Sequence, residues 1–379
     1  MEFGAAMQKI LLSCLMVILC LACAVAAQDS ASSAPSNDAI RKILVDRLGS
    51  RQDSIGIVVG IIEPAGRRVV AYGSGDRNDV RPLDGDSVFE IGSITKVFTS
   101  LILADMAHRG EVALTDPLAK YLPQGVRVPE RGGRVITLED LARHRSALPG
   151  MPTNFASGID PQNPYLHYSV NQLYEFLAGY QLPRDIGSKF EYSNMGAGLL
   201  GHALALRAGK NYESLVITRI CRPLGMKSTA ITLSPDMKAR LATGHDGLFR
   251  AISNWDLQGA FAGAGAIRST ANDMLDFLAV HLGYTPSDLG PAIATATTER
   301  KEAYGSMEIG LGWLIRQKKG SEIIWHNGGT GGYRTFAGFD PKARIGVVVL
   351  ANVSTNAGVN DLGFHLLDSE VPLLPMDSQ

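Results

Sequence analysis

The sequence predicts an α+β fold, an α/β sandwich in which helices flank an antiparallel sheet built from both chain ends, with a mostly helical lobe inserted. Two observations predict it. Strand-like runs occur at both ends of the 379-residue chain, over 55–63, 67–72, 323–325, 334–339 and 345–351. Between about 97 and 282, apolar residues mostly follow helical spacing, broken by proline and glycine. One sheet with a helical insertion accommodates both regions.

Short punctuating sequences delimit the elements at the two chain ends. Residues 38–48 carry apolar side chains on one helical face, and Gly49 is expected to end that helix. Residues 64–66 (Pro-Ala-Gly) separate the first two strand-like runs and are typical of a hairpin turn. Residues 340–343 (Asp-Pro-Lys-Ala) separate the last two runs in the same way.

Helices dominate the middle of the chain. They are predicted to begin at Thr137 and to cover 171–177, 197–208 and 271–282. Asp140 follows Thr137 at the spacing of a capping box. We therefore assign 38–96 and 290–379 to the α/β part and 97–289 to the helical lobe, which together form one catalytic unit.

The first 27 residues are typical of a cleavable signal peptide. Lys9 precedes an apolar run over 10–25, and small residues at its end favour cleavage before Gln28. Met7 is the better start because an acidic residue follows the first methionine. The run is shorter than the roughly 20 apolar residues of a membrane-spanning helix. We therefore expect a periplasmic or secreted protein with no transmembrane segment after signal removal.

The mature chain would begin with a polar linker over 28–37. Lipidation of Cys23 is the weaker alternative, because Cys20 stands where an aliphatic residue is preferred. After signal removal Cys221 is the one remaining cysteine, so an internal disulfide is excluded. We expect Cys221 to have a structural role.

Composition narrows the class of partner and cofactor. The chain is 45% hydrophobic and 19% charged, with a formal net charge of -1, which is ordinary for a globular protein and gives no basis for nucleic acid as a partner. The sequence contains no His-Glu-x-x-His motif and no Gly-x-Ser-x-Gly motif. We therefore expect no metal and no cofactor, and a small molecule or peptide as substrate. The composition leaves the oligomeric state open.

Ser93 and Lys96 form the first candidate catalytic element. An apolar, helix-compatible run follows Ser93, so the two side chains leave one face at the start of a helix. A helix N-terminus and a neighbouring ammonium both stabilise an alkoxide, while a buried lysine can lose its proton and act as a base. The alternative is an N-capping serine beside a solvated lysine.

Tyr192 and Asn194 form the second element, just before the helix predicted at 197–208. A phenol between two cationic groups would have a lowered pKa and could shuttle protons as a phenolate. The amide of Asn194 could hold a substrate carbonyl and the lysine together. The alternative is a core tyrosine followed by an N-capping asparagine.

The third element is the glycine-rich run over 325–333, which begins in a predicted strand and contains His326, Asn327, Gly329 and Thr330. Glycines at a strand edge let a substrate approach backbone N–H groups closely. The N–H groups of Gly329 and of the candidate nucleophile would form an oxyanion hole. His-x-Gly also occurs elsewhere in the chain, for example at 108–110 and 245–247, but neither of these has this strand context.

In this order, the three elements resemble the Ser-x-x-Lys, Ser-Asp-Asn and Lys-Thr-Gly motifs of penicillin-recognising serine hydrolases, the serine β-lactamases and D,D-peptidases. Tyr-Ser-Asn at 192–194 points to the class C-like branch, and further matches extend over nearly the whole mature chain. The resemblance implies a β-lactamase/transpeptidase-like fold with its active site between the α/β part and the helical lobe.

The resemblance also implies roles for individual residues. Ser93 would be acylated, Lys96 and Tyr192 would share the acid and base work, and Asn194 would orient the substrate. The substrate carboxylate or carbonyl would be contacted by residues near the sheet edge, namely Asn327, Thr330 and Asn352. Which of Lys96 and Tyr192 is the general base stays open at this stage.

One departure from the family pattern bears on the substrate. His326 stands where the family has lysine, and a partly charged histidine would hold a substrate carboxylate less strongly. Three functions remain: an amide hydrolase of the β-lactamase or D-amino-acid peptidase type, a carboxylesterase using the same site, and a β-lactam sensor that stays acylated.

Overall fold

The computed structural model describes residues 34–51, 55–76, 79–156, 159–355 and 358–374. The predicted signal peptide and its cleavage point lie outside the described residues, as do linker residues 28–33. The first helix begins at Asn37, within the predicted linker, because Ser36 caps it by accepting the N–H of Ala39.

The elements follow in chain order. The helices are α1 (Asn37–Leu48), α2 (Thr95–His108), α3 (Leu138–Ala142), α4 (Val170–Gly179), α5 (Asn194–Ala208), α6 (Tyr212–Val216), α7 (Arg222–Leu224), α8 (Pro235–Ala239), α9 (Ala262–Gly265), α10 (Ala271–His281), α11 (Gly290–Thr298) and α12 (Asn360–Leu367). The strands are β1 (Gly56–Glu63), β2 (Gly66–Asp76), β3 (Asp79–Pro82), β4 (Phe89–Glu90), β5 (Glu130–Arg131), β6 (Arg134–Val135), β7 (Arg268–Ser269), β8 (Lys301–Glu302), β9 (Glu308–Ile309), β10 (Leu314–Lys318), β11 (Ser321–Gly329), β12 (Arg334–Asp340) and β13 (Ile345–Ala351).

The predicted sheet from both chain ends is confirmed. In the described part of the chain it has nine strands in the order β3-β2-β1-β13-β12-β11-β10-β9-β8, and every neighbouring pair is antiparallel. The N-terminal hairpin joins the C-terminal strands where β1 pairs with β13, with Ile57 opposite Ala351. This pairing brings together segments almost 300 residues apart in the sequence, as the strand-rich chain ends predict.

The sheet is covered on both faces, so alternate side chains of its central strands enter two separate cores. One core contains Ile57 and Val349 with the apolar faces of the first and last helices, α1 and α12. The other contains Val58 and Leu350 with the helices of the middle of the chain. The sheet, packed on both faces, therefore holds β11 at a fixed position.

Capping residues set the helix boundaries of the middle region. The capping box of Thr137 and Asp140 is present at the start of α3, as predicted. Helix α5 begins at Asn194, three residues earlier than predicted, because Ser193 is its N-cap and accepts the N–H of Gly196 at 2.8 Å. Its cap is therefore Ser193 and not Asn194.

The division into an α/β part and a helical lobe stays a prediction. Residues from Ala34 onward form one compact unit. Helix α10 belongs to the predicted lobe by sequence position, yet it packs against β1 and β13 of the sheet. Among the described residues, no helix has the length and apolar character needed to cross a membrane. Cys221 is buried, and burial raises the pKa of its thiol to about 12, as suits a structural residue.

Candidate active site

Ser93 lies in a 3₁₀ turn, Gly92–Ile94, that leads directly into α2. Lys96 is in the first turn of α2, so its side chain returns to the serine, as the three-residue spacing predicts. The Nζ atom of Lys96 lies 2.9 Å from the Oγ atom of Ser93 and donates to the carbonyl oxygen of Ala264 at 2.7 Å. This places the amine beside the candidate nucleophile at a fixed position.

The environment of Lys96 favours its neutral form. The side chain is 1% exposed, and burial holds the pKa of its amine well below the usual range. Its contacts are a hydroxyl and a carbonyl, neither of which neutralises an ammonium in the way a carboxylate would. A neutral amine has a lone pair, so Lys96 can accept the proton of Ser93 across their 2.9 Å contact.

Tyr192 approaches the same serine from the start of α5. Its phenol lies beside Ser93, and the Nζ atom of Lys96 lies 4.8 Å from the centre of its ring. Although Tyr192 is 37% exposed, its surroundings raise the pKa of the phenol by desolvation. The expectation of a phenolate between two cations is wrong here, because burial favours neutral forms of both Lys96 and His326.

His144 supports Tyr192, a role that the sequence analysis missed. Its ring lies 4.6 Å from the Tyr192 ring, its Nδ1 atom accepts the N–H of Ser193, and its carbonyl oxygen accepts the N–H of Glu191. The residues on both sides of Tyr192 are thus held by one histidine. His144 follows α3 with a φ of 56°, outside any helical run. One of the further matches to the family, His-Arg-Ser-Ala-Leu-Pro at 144–149, was the available signal in the sequence.

The glycines of β11 allow the strand to lie against the nucleophile turn. A Cβ atom on Gly328 would lie 2.0 Å from the carbonyl oxygen of Ile91, and one on Gly92 would lie 2.7 Å from the backbone nitrogen of Gly329. No larger residue fits at either position without moving the backbone. The close approach places Gly329 beside the turn that contains Ser93, and both residues line the cleft; an oxyanion hole formed by their N–H groups stays a prediction.

His326 is buried beside Lys96 and does not carry positive charge. Burial, with a smaller effect from Lys96, lowers the pKa of His326 to about 3. Its Nδ1 atom lies 2.6 Å from the carbonyl oxygen of Asn327, so Nδ1 bears the proton and Nε2 is an acceptor. An acceptor cannot bind a carboxylate. The expectation of a partly charged anchor at His326 is therefore wrong in this structure.

Two other residues assigned to substrate binding are buried. Asn352 is 0% exposed, and its amide accepts the N–H of Gly56 and donates to the carbonyl oxygens of Ser74, Gly75 and Thr243. All its hydrogen-bonding groups are used to join strand ends, so the expectation that it contacts substrate is wrong.

Thr330 is likewise buried, beside the carboxyl group of Glu90 and outside the lining of the cleft. The expectation that Thr330 faces the substrate is therefore also wrong.

Asn194 takes a different position from the one expected. As the first residue of α5, it is half-buried, and its side chain makes no hydrogen bond with Lys96 among the residues that the structure describes. The carbonyl oxygen of Ala264 occupies that role instead. The structure therefore gives Asn194 no contact that fixes the lysine, and its contact with substrate stays a prediction.

The elements meet in a cleft of about 410 Å³. Its lining residues are Ser93, Phe190, Tyr192, Tyr304, Leu314, His326, Asn327, Gly328, Gly329 and Arg334. Four of these were not singled out by the sequence analysis: the apolar group Phe190, Tyr304 and Leu314, and the cation Arg334. Within the described ranges, no cluster of three metal-ligating side chains occurs.

Comparison with known proteins agrees with this geometry. The family profile described as Beta-lactamase matches residues 41–369. D-alanyl-D-alanine-carboxypeptidase/endopeptidase AmpH of Escherichia coli is 33% identical over 342 residues, which are 84% of this chain and 87% of that protein. A beta-lactamase of the same bacterium is 26% identical over 83% of this chain and 88% of its own length.

Solved structures show the same fold. A beta-lactamase/D-alanine carboxypeptidase from Yersinia pestis, solved with citrate, superposes with a TM-score of 0.75 at 27% identity, over 89% of this chain and 99% of that one. A class C beta-lactamase from Rhodobacter sphaeroides gives a TM-score of 0.74 at 26% identity, over 88% and 99%. The resemblance read from the motifs is confirmed, and the chain belongs to the beta-lactamase family of serine hydrolases.

Proposed function

We propose that the chain is a secreted serine hydrolase that cleaves amide bonds of β-lactams or of D-amino-acid peptides through an acyl-enzyme on Ser93. The observation that carries this proposal is the 2.9 Å contact between the Ser93 hydroxyl and a buried Lys96 amine whose pKa burial holds low. An activated serine needs a base within hydrogen-bonding distance, and this arrangement supplies one.

Acylation begins with proton transfer from the Ser93 Oγ atom to the neutral Nζ atom of Lys96. The oxygen then forms a bond to the substrate carbonyl carbon, and the developing oxyanion accepts hydrogen bonds from the N–H groups of Ser93 and Gly329. Lys96 is the base in this scheme because its pKa is lowered while that of Tyr192 is raised.

Tyr192 donates its phenolic proton to the leaving nitrogen as the amide bond breaks. The ammonium of Lys96, whose Nζ atom lies 4.8 Å from the centre of the Tyr192 ring, restores that proton. A water molecule then attacks the acyl-enzyme, with the same groups acting in reverse. The nucleophile, base and acid are thus a serine, a lysine and a tyrosine, and no step requires a metal or cofactor.

The proposed class of substrate is inferred from the names of similar proteins. Proteins named as a carboxypeptidase/endopeptidase and as beta-lactamases align over more than four-fifths of this chain. Substrates of these kinds, peptidoglycan-like peptides and β-lactams, would be met outside the cytoplasm. The apolar run over 10–25 supports export to the periplasm or beyond.

A carboxylesterase is the second candidate, and one observation favours it. Phe190, Tyr304 and Leu314 form an apolar wall beside a His326 that carries no charge. Such a surface suits an uncharged leaving group, and an ester gives up its alcohol more readily than an amide gives up its amine. Acylation by Ser93 would be the same reaction.

Turnover of three substrates ranks these functions. A diacetylated Lys-D-Ala-D-Ala peptide, nitrocefin and p-nitrophenyl acetate would be compared for wild type, Ser93→Ala and the exposed-site control Ser188→Ala. We expect D-alanine release or nitrocefin turnover by wild type and control, and none by Ser93→Ala. Ester turnover alone would favour the esterase, and a stable adduct without turnover would favour the sensor. Full activity of Ser93→Ala would overturn the mechanism.

A further inference from the structure

Arg334 places a cation at the mouth of the cleft. It is the first residue of β12, directly opposite Gly329 in the β11–β12 pair. Its guanidinium lies over that glycine, since a Cβ atom on Gly329 would be 2.8 Å from the Nη1 atom of Arg334. The charge is therefore beside the residue that supplies the second oxyanion N–H group.

In the part of the chain that the structure describes, this cation has no counter-charge. The Nη1 atom donates to the carbonyl oxygens of Thr330 at 2.9 Å and Tyr333 at 3.0 Å, and no carboxylate pairs with Arg334 within the described ranges. Its Nε and Nη2 atoms make no hydrogen bond with any of the described residues. Arg250, which lines a neighbouring pocket, is by contrast paired with Asp246 at 2.7 Å. Arg334 is thus held in place by Nη1, and within the described residues the other two guanidinium nitrogens remain able to donate to a ligand.

The position along β11 tells which half of the substrate would meet Arg334. Tyr192, the proposed proton donor to the leaving nitrogen, has its ring 6.2 Å from that of His326. The leaving group therefore lies toward His326. Gly329 is three residues further along the extended strand, about 10 Å away. The contacts of Nη1 with Thr330 and Tyr333 hold the guanidinium at that far end, on the side of the acyl group.

We propose that Arg334 binds an anionic group, such as a carboxylate, in the acyl half of the substrate. The inference rests on the proposed function, since it takes the acyl half to be the part bonded to Ser93. Arginine suits this role because its planar fork can donate two parallel hydrogen bonds to a carboxylate. The preferred substrates would then be β-lactams or peptides with a carboxylate on the acyl side.

Half-burial strengthens such a contact. Arg334 is half-buried, and desolvation lowers the pKa of its guanidinium, although an arginine stays protonated at neutral pH. A hydrogen bond to a charged group contributes about 1.5–3 kcal/mol, which corresponds to roughly 10- to 150-fold in rate or affinity. An effect of this size is measurable with a matched pair of substrates.

Carbenicillin and benzylpenicillin form that pair, because they differ by one carboxylate in the acyl side chain. The second-order rate of Ser93 acylation would be measured by intact-mass spectrometry for wild type, Arg334→Gln, Arg334→Lys and the control Arg250→Gln. Thermal unfolding of each variant would establish that it is folded. Ester turnover with p-nitrophenyl acetate, which has no acyl-side anion, would report on the oxyanion hole.

We expect Arg334→Gln to lower the carbenicillin rate about 10-fold or more while changing the benzylpenicillin and ester rates less than about threefold. Arg334→Lys would retain part of the preference, and Arg250→Gln would retain all of it. Equal losses for both penicillins would overturn the inference and make Arg334 a support of the β11–β12 turn. Absence of any wild-type adduct would overturn the proposed function itself.

Discussion

The two walls of the cleft differ in which chemical groups they present and in the charge of those groups. The helical wall, formed by Ser93, Lys96 and Tyr192, contains a buried amine and a phenol whose pKa shifts both favour the neutral state. The strand wall, formed by residues 326–334, presents backbone N–H groups, a neutral histidine at one end and, at the other, an arginine that pairs with no carboxylate of the described residues.

This difference separates proton transfer from recognition. Burial in the helical wall keeps Lys96 neutral in the resting state, so its lone pair is available to accept the proton of Ser93. Charge is kept at the half-buried end of the strand wall, where a substrate can reach it. Changes in the helical wall should therefore affect every substrate, whereas changes in the strand wall should affect some and not others.

The largest expected effect is in the helical wall. Lys96→Met removes the base while keeping a side chain of similar length, and we expect kcat/KM to fall about 10³- to 10⁴-fold for every substrate. The matched control is Lys120→Met, since Lys120 is an exposed lysine paired with Asp116. Steady-state turnover of nitrocefin and of p-nitrophenyl acetate would measure both. A loss confined to one substrate would contradict the assignment of Lys96 as general base.

Tyr192→Phe is expected to have the next largest effect. The ring and its packing on His144 are retained, so the change isolates the hydroxyl that lies beside Ser93. Because Lys96 remains as base, we expect kcat to fall about 10²- to 10³-fold. The fall should be greatest for amides, whose leaving nitrogen must be protonated. An equal fall for p-nitrophenyl acetate, whose leaving group needs no proton, would contradict the role of Tyr192 as acid.

Asn352→Ala should affect stability and not specificity. The substitution removes the acceptor of the Gly56 N–H and the amide donor to three carbonyl oxygens, which we expect to cost about 2–4 kcal/mol in the free energy of unfolding. Chemical denaturation would measure it, with Asn254→Ala, a half-buried amide bonded to Tyr333, as the milder control. Loss of substrate affinity at unchanged stability would instead restore Asn352 to the binding site.

The smallest effect is expected at His326. With its pKa lowered to about 3, its ring stays neutral between pH 5 and 8 and adds no step to the pH profile. The acid limb of kcat/KM belongs to Lys96, and activity should fall as pH drops below the pKa of that amine. His326→Gln should leave the shape of this limb unchanged. Disappearance of a step near pH 6.5 in the variant would show that His326 titrates.

Local patterns predicted the helical wall well. The three-residue spacing of Ser93 and Lys96 depends on neighbours within one helical turn, as does the cap at Thr137 outside this wall, so the sequence contains the required information. The strand wall was harder to predict. The role of Arg334 depends on the register that places it opposite Gly329, and the burial of Asn352 depends on the junction of β1 with β13.

The charge states of Tyr192 and His326 also could not be predicted from the sequence. Tyr192 was expected to be able to form a phenolate because of neighbouring cations, and His326 was expected to be a partly charged anchor because of its residue type. Desolvation instead favours the neutral phenol of Tyr192 and the neutral imidazole of His326. The extent of desolvation depends on how closely β11 packs against the nucleophile turn at Gly328 and Gly92. Motifs thus identify which residues meet, while packing determines which of them carry charge.

The most direct test of the central claim is to locate the acyl group. Wild type and Ser93→Ala would be mixed briefly with benzylpenicillin, quenched in acid and analysed by intact-mass and peptide-mapping mass spectrometry. We expect a wild-type mass increase equal to one penicillin, located on the peptide that contains Ser93, and no increase in the variant. An adduct on another residue, or an equal adduct in Ser93→Ala, would contradict it.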